Sequence, residues 1–144
     1  TQLFNYQPNT KNTVIDSIKT KKEIKITKLS KKELKKNILS SIEKWKNAWE
    51  RKDMSNYLDS YSANFIYPNN MSKLQWKKYR TSRIVSKKTI NILISNVKVK
   101  FAKEKIIATF TQSYKSGKLN QVSTKILTFI EEEGEWHILE ETSK

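Results

Sequence analysis

Cysteine is absent from the 144 residues, which excludes disulfides, thiol catalysis and thiolate metal sites. The absence does not assign a compartment. Glycine and proline number two each, too few for a disordered or fibrous chain. One histidine, His137, cannot build a multi-histidine metal site. Between Trp136 and Ile138 it is expected to face solvent, a poor position for a general base. No apolar run approaches the roughly 18 residues needed to span a bilayer. Arginine is scarce as well, with three among 29 basic residues, and lysine is the weaker residue for bidentate phosphate recognition. No metal and no cofactor is expected.

Charge and large aromatics are what the chain has. Net charge is +15, and it is uneven: +9 over 11–52, +11 over 53–127 and −5 over 128–144. Such a field attracts polyanions, although the Lys-, Asn- and Ile-rich composition reads first as a bias of the source genome. Five Phe, six Tyr and four Trp supply the buried area that a hydrophobic fraction of 36% otherwise leaves modest. The length suits one domain. A start at Thr1 rather than Met reads as a processed or excised piece, from which any signal peptide would be missing.

Residues 1–29 are polar and Lys-rich, with Ile24 and Ile26 alternating with Lys, and read as an N-terminal arm or linker docked on the domain over 30–144. Ser30 and Glu33 fit a capping box, with Leu29 and Leu34 as its staple. Leu34, Ile38, Ile42, Trp45 and Trp49 follow at helical spacing, one apolar stripe on a helix over about 31–51. Asp53 suits the N-cap of a shorter helix bearing Tyr57 and Tyr61 and ending near Ser62. Phe65-Ile66-Tyr67 reads as a short strand stopped by Pro68. Ser72 with Gln75 opens a third helix that places Trp76, Tyr79, Arg80 and Arg83 on one face. From residue 89 the period becomes two: Ile90 to Val99, Ile106 to Tyr114, Val122 to Glu131 and Trp136 to Glu140 form four strands at hairpin spacing. Helices followed by an antiparallel meander give an α+β domain.

Three motifs carry a resemblance: Trp45, Ala48-Trp49 and Asp53 followed by Tyr57, Tyr61 and Phe65; Trp76 with Arg80 and Arg83; and Phe110-Thr111-Gln112-Ser113-Tyr114 with Lys125, Gly134, Trp136, Ile138 and Glu140. Together they resemble the nuclear transport factor 2-like superfamily, the SnoaL-like cone of helices on a curved sheet also seen in ketosteroid isomerases and polyketide cyclases. More narrowly, they resemble the C-terminal accessory domain of bacterial L,D-transpeptidase-like cell-wall enzymes. The resemblance implies a periplasmic or cell-envelope setting. It also implies that cysteine-dependent transpeptidase chemistry would sit on a separate upstream domain. A homodimer through the outer face of the sheet is a further implication.

The cone of this fold holds a pocket, and Tyr57, Tyr61, Trp76, Arg80, Gln112, Tyr114, Lys125 and Glu140 are expected around it. Gln112, between Phe110 and Tyr114 on the inward face, must bond a neighbour or a ligand, since an unpaired buried amide costs about 1–3 kcal/mol. Either Gln112, Arg80, Lys125 and Glu140 satisfy one another, or they hold a ligand. Asp53 and Asp59, the carboxylates nearest in kind to the Asp of isomerase- and cyclase-like relatives, read as an N-cap and a helix-surface residue. The favoured function is a non-catalytic binding or scaffolding domain of a peptidoglycan-modifying envelope protein. Its expected partners are a peptidoglycan fragment or small molecule and an upstream catalytic domain. An enzyme of the isomerase or dehydratase type working in the cone with Tyr57, Tyr114 or Glu140 ranks second. Nucleic-acid binding through the Lys-rich surface ranks third, in the absence of a recognised reading motif.

Overall fold

The computed structural model describes residues 30–144; the expected arm over 1–29, with Ile24, Ile26 and the staple residue Leu29, lies outside them. Residues 36–144 form one compact unit. Helix α1, Lys31–Arg51, buries Ile38, Ile42, Trp45, Ala48 and Trp49, the stripe read from the sequence. At its start the Glu33 N–H donates to Ser30 Oγ at 3.1 Å. It stops where Lys52 turns left-handed, φ 59°, a position that glycine usually takes. Lys52 Nζ donates to the Lys88 carbonyl at 3.1 Å, anchoring that turn.

Helix α2, Met54–Asp59, is capped by Asp53, whose carboxylate accepts from the Asn56 N–H. Helix α3, Lys73–Val85, opens on a complete capping box between Ser72 and Gln75. Phe65-Ile66-Tyr67 does not form the strand expected. The Phe65 N–H donates to the Ser62 carbonyl at 3.0 Å, so the backbone turns locally. This brings the Phe65 ring to 4.8 Å from Tyr61 and 5.0 Å from Trp76, and aromatic burial decides the conformation.

The sheet is a four-stranded meander in the order β1-β2-β3-β4, built from Asn91–Ala102, Lys105–Ser116, Leu119–Glu132 and Glu135–Ser143. Neighbouring strands are antiparallel. This is the α+β cone with helices preceding a curved sheet. Its concave face carries Ile92, Ala108, Phe110, Leu127, Phe129 and Ile138, all buried. The edge of β4 is not left open. Ser62 N–H and Ile66 N–H donate to the carbonyls of Ile138 and Leu139, and Ile138 N–H donates to that of Ser60. The chain leaving α2 thereby covers the middle of an edge that would otherwise invite pairing with another chain.

Two bulges bend the sheet. In β1 the register shifts between Ser95 and Lys98, with Asn96 left-handed at φ 55°. In β4 a shift opposite Thr128 and Phe129 pairs Phe129 with Ile138 but Thr128 with Glu140, leaving Leu139 as the extra residue. An extra residue reverses which face the following side chains take.

The inward face makes a direct prediction. Leu127→Ala, at a site with no solvent exposure, is expected to cost about 2–5 kcal/mol in urea denaturation. Leu93→Ala, on the opposite face with the side chain 68% exposed, is expected to change stability by less than about 0.5 kcal/mol. Equal costs at the two positions would contradict this assignment of faces.

Candidate functional site

The β4 bulge decides which glutamate enters the site. Strict alternation from Trp136 and Ile138 would bring Glu140 inward, and this expectation is corrected: Glu140 is exposed, and Glu141 faces in, across from Leu127. Glu141 Oε2 accepts from Lys125 Nζ at 2.6 Å, and its Oε1 accepts from the Tyr61 hydroxyl at 2.6 Å. That bond uses Tyr61's one proton. Its oxygen, 3.0 Å from Tyr57 Oη and 3.0 Å from Trp45 Nε1, therefore accepts from both. Tyr57's oxygen in turn accepts from Arg80 Nε at 3.0 Å. A single chain of hydrogen bonds thus runs from Arg80 through both tyrosines to Glu141 and Lys125, with every hydroxyl satisfied.

The electrostatics follow from this chain. Burial pushes the Glu141 carboxyl up, but the Lys125 charge and the bonds from Lys125 and Tyr61 outweigh it and hold it below the usual carboxylate value. Burial pushes the Tyr57 hydroxyl up to about 12. It pushes Tyr61 well above the ordinary tyrosine value, reinforced by Glu141. Burial works against the Arg80 charge, yet Tyr57, Tyr61 and Glu141 more than compensate and raise its pKa. The Arg80 guanidinium also lies over two rings, 5.4 Å from the Trp49 centroid and 5.6 Å from that of Tyr57, within cation–π range of both.

Beside this network lies an open cleft of about 550 Å³ between α1, α3 and the concave sheet. Arg80, Gln112, Tyr114 and Lys125 line it, joined by Trp49, Arg83, Lys87 and Lys144. No Asp or Glu is among its lining residues. Of the eight residues expected at a pocket, these four reach it. Tyr57, Tyr61 and Trp76 are buried beneath in the core. Trp49, read from the sequence as core, is buried but forms part of the cleft wall. Gln112 does not join Arg80 and Lys125 in a network. It is 6% exposed, and its Oε1 is buried with no hydrogen-bond partner.

A second groove, of about 660 Å³, runs between α1 and the β3–β4 hairpin. It mixes Lys44, Arg51, Asp53, Asp59 and Glu135 with Asn37, Ser40 and Asn47. His137 borders it rather than facing open solvent, a second correction. Its Nδ1 is buried, 3.6 Å from Glu132 Oε1, while Ser62 Oγ donates to Glu132 Oε2 at 2.8 Å. The segment after α2 hydrogen-bonds to β4 at the neighbouring Ile138 and Leu139. Among the described residues no His, Asp, Glu or Cys grouping suits a metal ion, and no helix is long and apolar enough to cross a membrane.

Glu141→Gln would leave Lys125 charged, buried and unpaired, and is expected to cost about 3–5 kcal/mol at neutral pH. The sign of the pH dependence follows from the lowered pKa. The stabilisation is complete above the unfolded carboxylate value, near about 4.3, and is lost as pH falls through the lower folded value. Chemical denaturation between pH 7 and pH 2 should show a flatter acid limb in the variant than in wild type. Parallel limbs would contradict the pairing.

Residues 37–142 match the family described as the Cds6 C-terminal NTF2-like domain. Among solved structures, Bd1075 of Bdellovibrio bacteriovorus is 20% identical with a TM-score of 0.68, over 80% of this chain and 42% of that one. The helical cell shape determining protein Pgp2 from Campylobacter jejuni is 23% identical with a TM-score of 0.70, over 78% and 41%. An NTF2-like protein of unknown function from Pseudomonas putida KT2440 is 14% identical with a TM-score of 0.64, over 74% and 82%. The chain spans about two-fifths of the length of the first two. Likeness at these identities carries the fold. Among curated proteins none matches.

Proposed function

The chain belongs to the family of Cds6 C-terminal NTF2-like domains, and from that premise we propose that it is a non-catalytic, ligand-binding accessory domain of a bacterial envelope protein that modifies peptidoglycan. The cationic cleft is its binding site. One observation carries this reading: the ionisable groups beneath the cleft are committed to one another. Glu141 has both oxygens bonded and its pKa lowered, while Tyr57 and Tyr61 are raised. A general base is most effective with a pKa near the working pH, and these three move away from it. This weighs against an isomerase or dehydratase in the cone.

The envelope setting draws support from the likeness to a cell shape determining protein. A further domain beside this one draws support from the 41% of that protein's length that the chain covers, and the catalytic role proposed for it rests on the resemblance alone. Nucleic acid ranks last because, among the described residues, exposed lysines occur on several elements, α1, α3, β1 and the hairpin turns, rather than along one. The outer face of the sheet remains the surface proposed for a second copy.

Soluble muropeptides titrated into the protein in a calorimeter test this reading. Wild type should bind, and Arg80→Ala should lose at least about tenfold, the scale of one charge-assisted bond. Arg83→Glu, at an exposed cleft position, should weaken binding without disturbing the core. Absence of binding in wild type would overturn the proposal.

A further inference from the structure

The cleft presents two unmet demands of opposite kind. The first is positive charge. Lys125 is neutralised by Glu141, but among the described residues Arg80 has no carboxylate partner. Its Nε is committed to Tyr57, which leaves the two terminal nitrogens for whatever enters. The guanidinium carbon lies 5.4 Å from the Trp49 ring centroid and 5.6 Å from that of Tyr57, which places the group between two rings, and a planar guanidinium fork matches a carboxylate. Arg83, Lys87 and Lys144 add to the field.

The second demand is for a donor. Gln112 Oε1 is a buried acceptor with no partner, and a simple anion cannot satisfy it. Such an atom needs an N–H or O–H, and leaving it unmet is costly. Between these polar groups the rim is apolar, with Leu119 and Val122 lining the cleft while substantially exposed.

We propose that the cleft binds the free C-terminus of a short peptide. There a carboxylate and an amide N–H sit on the same residue, one carbon apart, with a small side chain between them for the apolar rim. The carboxylate is taken by Arg80 within the field of Arg83, Lys87 and Lys144. The N–H is taken by Gln112 Oε1. This rests on the reading of the domain as an envelope accessory module and names the part of the ligand that the cleft grips. The end of a peptidoglycan stem peptide and the end of an ordinary polypeptide share this chemistry, and differ in the configuration of the last residue.

The test uses the full chain in a calorimeter with four peptide probes, N-acetyl-D-alanyl-D-alanine, its L,L isomer and the C-terminal amide of each, and with inorganic phosphate as a separate competitor. At least one free acid should bind, and its amide should bind at least tenfold more weakly. The preferred configuration identifies the source. Gln112→Met should bind the acid at least tenfold more weakly while unfolding at an equal or higher urea concentration, because it removes an orphaned acceptor. A purely structural glutamine would instead lower the midpoint and leave affinity unchanged. Acid and amide binding alike, or phosphate displacing the acid at equal concentration, would overturn the proposal. If muropeptides bind while both dipeptide acids fail, the peptide-end assignment falls and the accessory reading stands. If neither binds, both fall.

Discussion

The structure depends on how one carboxylate is spent. Glu141 enters the concave face with one oxygen on Lys125 and the other on Tyr61. Each partner fixes something further away. Lys125 can be buried on β3 because its charge is met. Tyr61, having given its proton to Glu141, must accept from Trp45 and Tyr57, which ties α1 and the segment after α2 to the sheet. Tyr57, having donated to Tyr61, is left to accept from Arg80 on α3. The three helices are thus joined to the sheet by a polar chain through an otherwise aromatic core. Half-satisfied buried networks are costly, so this one specifies a single arrangement.

Charge is conserved along that chain, and the remainder defines the cleft. One negative group, Glu141, faces two positive ones, Lys125 and Arg80, and it makes its direct ion pair with Lys125. Arg80 therefore carries a charge without a direct ion pair at the cleft wall, flanked by two rings. The same commitment that quiets Glu141 as an acid or base leaves Arg80 available for recognition. In this way a core that packs the domain also preorganises a binding surface.

Much of this was legible in the sequence because apolar periodicity and capping chemistry agree locally. The stripe from Ile38 to Trp49, the Ser72–Gln75 box and the inward row Ala108, Phe110, Gln112 all stand where spacing puts them. The bulge in β1 leaves a trace too, because the apolar residues step from Ile94 to Val97 as the register slips at Asn96. The bulge in β4 leaves none. After Ile138 come Leu139 and two adjacent glutamates, and either glutamate satisfies a pattern of alternation. Only the pairing of β3 with β4 selects Glu141 over Glu140. His137 departs from its sequence expectation for a related reason: the segment that bonds to β4 beside it, Ser60 to Ile66, is distant in the chain, and no local pattern announces it. The aromatic residues identified the fold, while the division between Tyr57 below the cleft and Tyr114 beside it required three dimensions.

The most direct measurement is the carboxyl titration of Glu141 itself, followed by carbon-detected NMR of the side-chain carbon in the free protein. The account predicts a midpoint below the ordinary glutamate value of about 4.3, with no further titration up to neutral pH. A midpoint between about 6 and 7 would make Glu141 a working acid or base and would contradict a network that spends its charge on Lys125 and leaves Arg80 for a ligand.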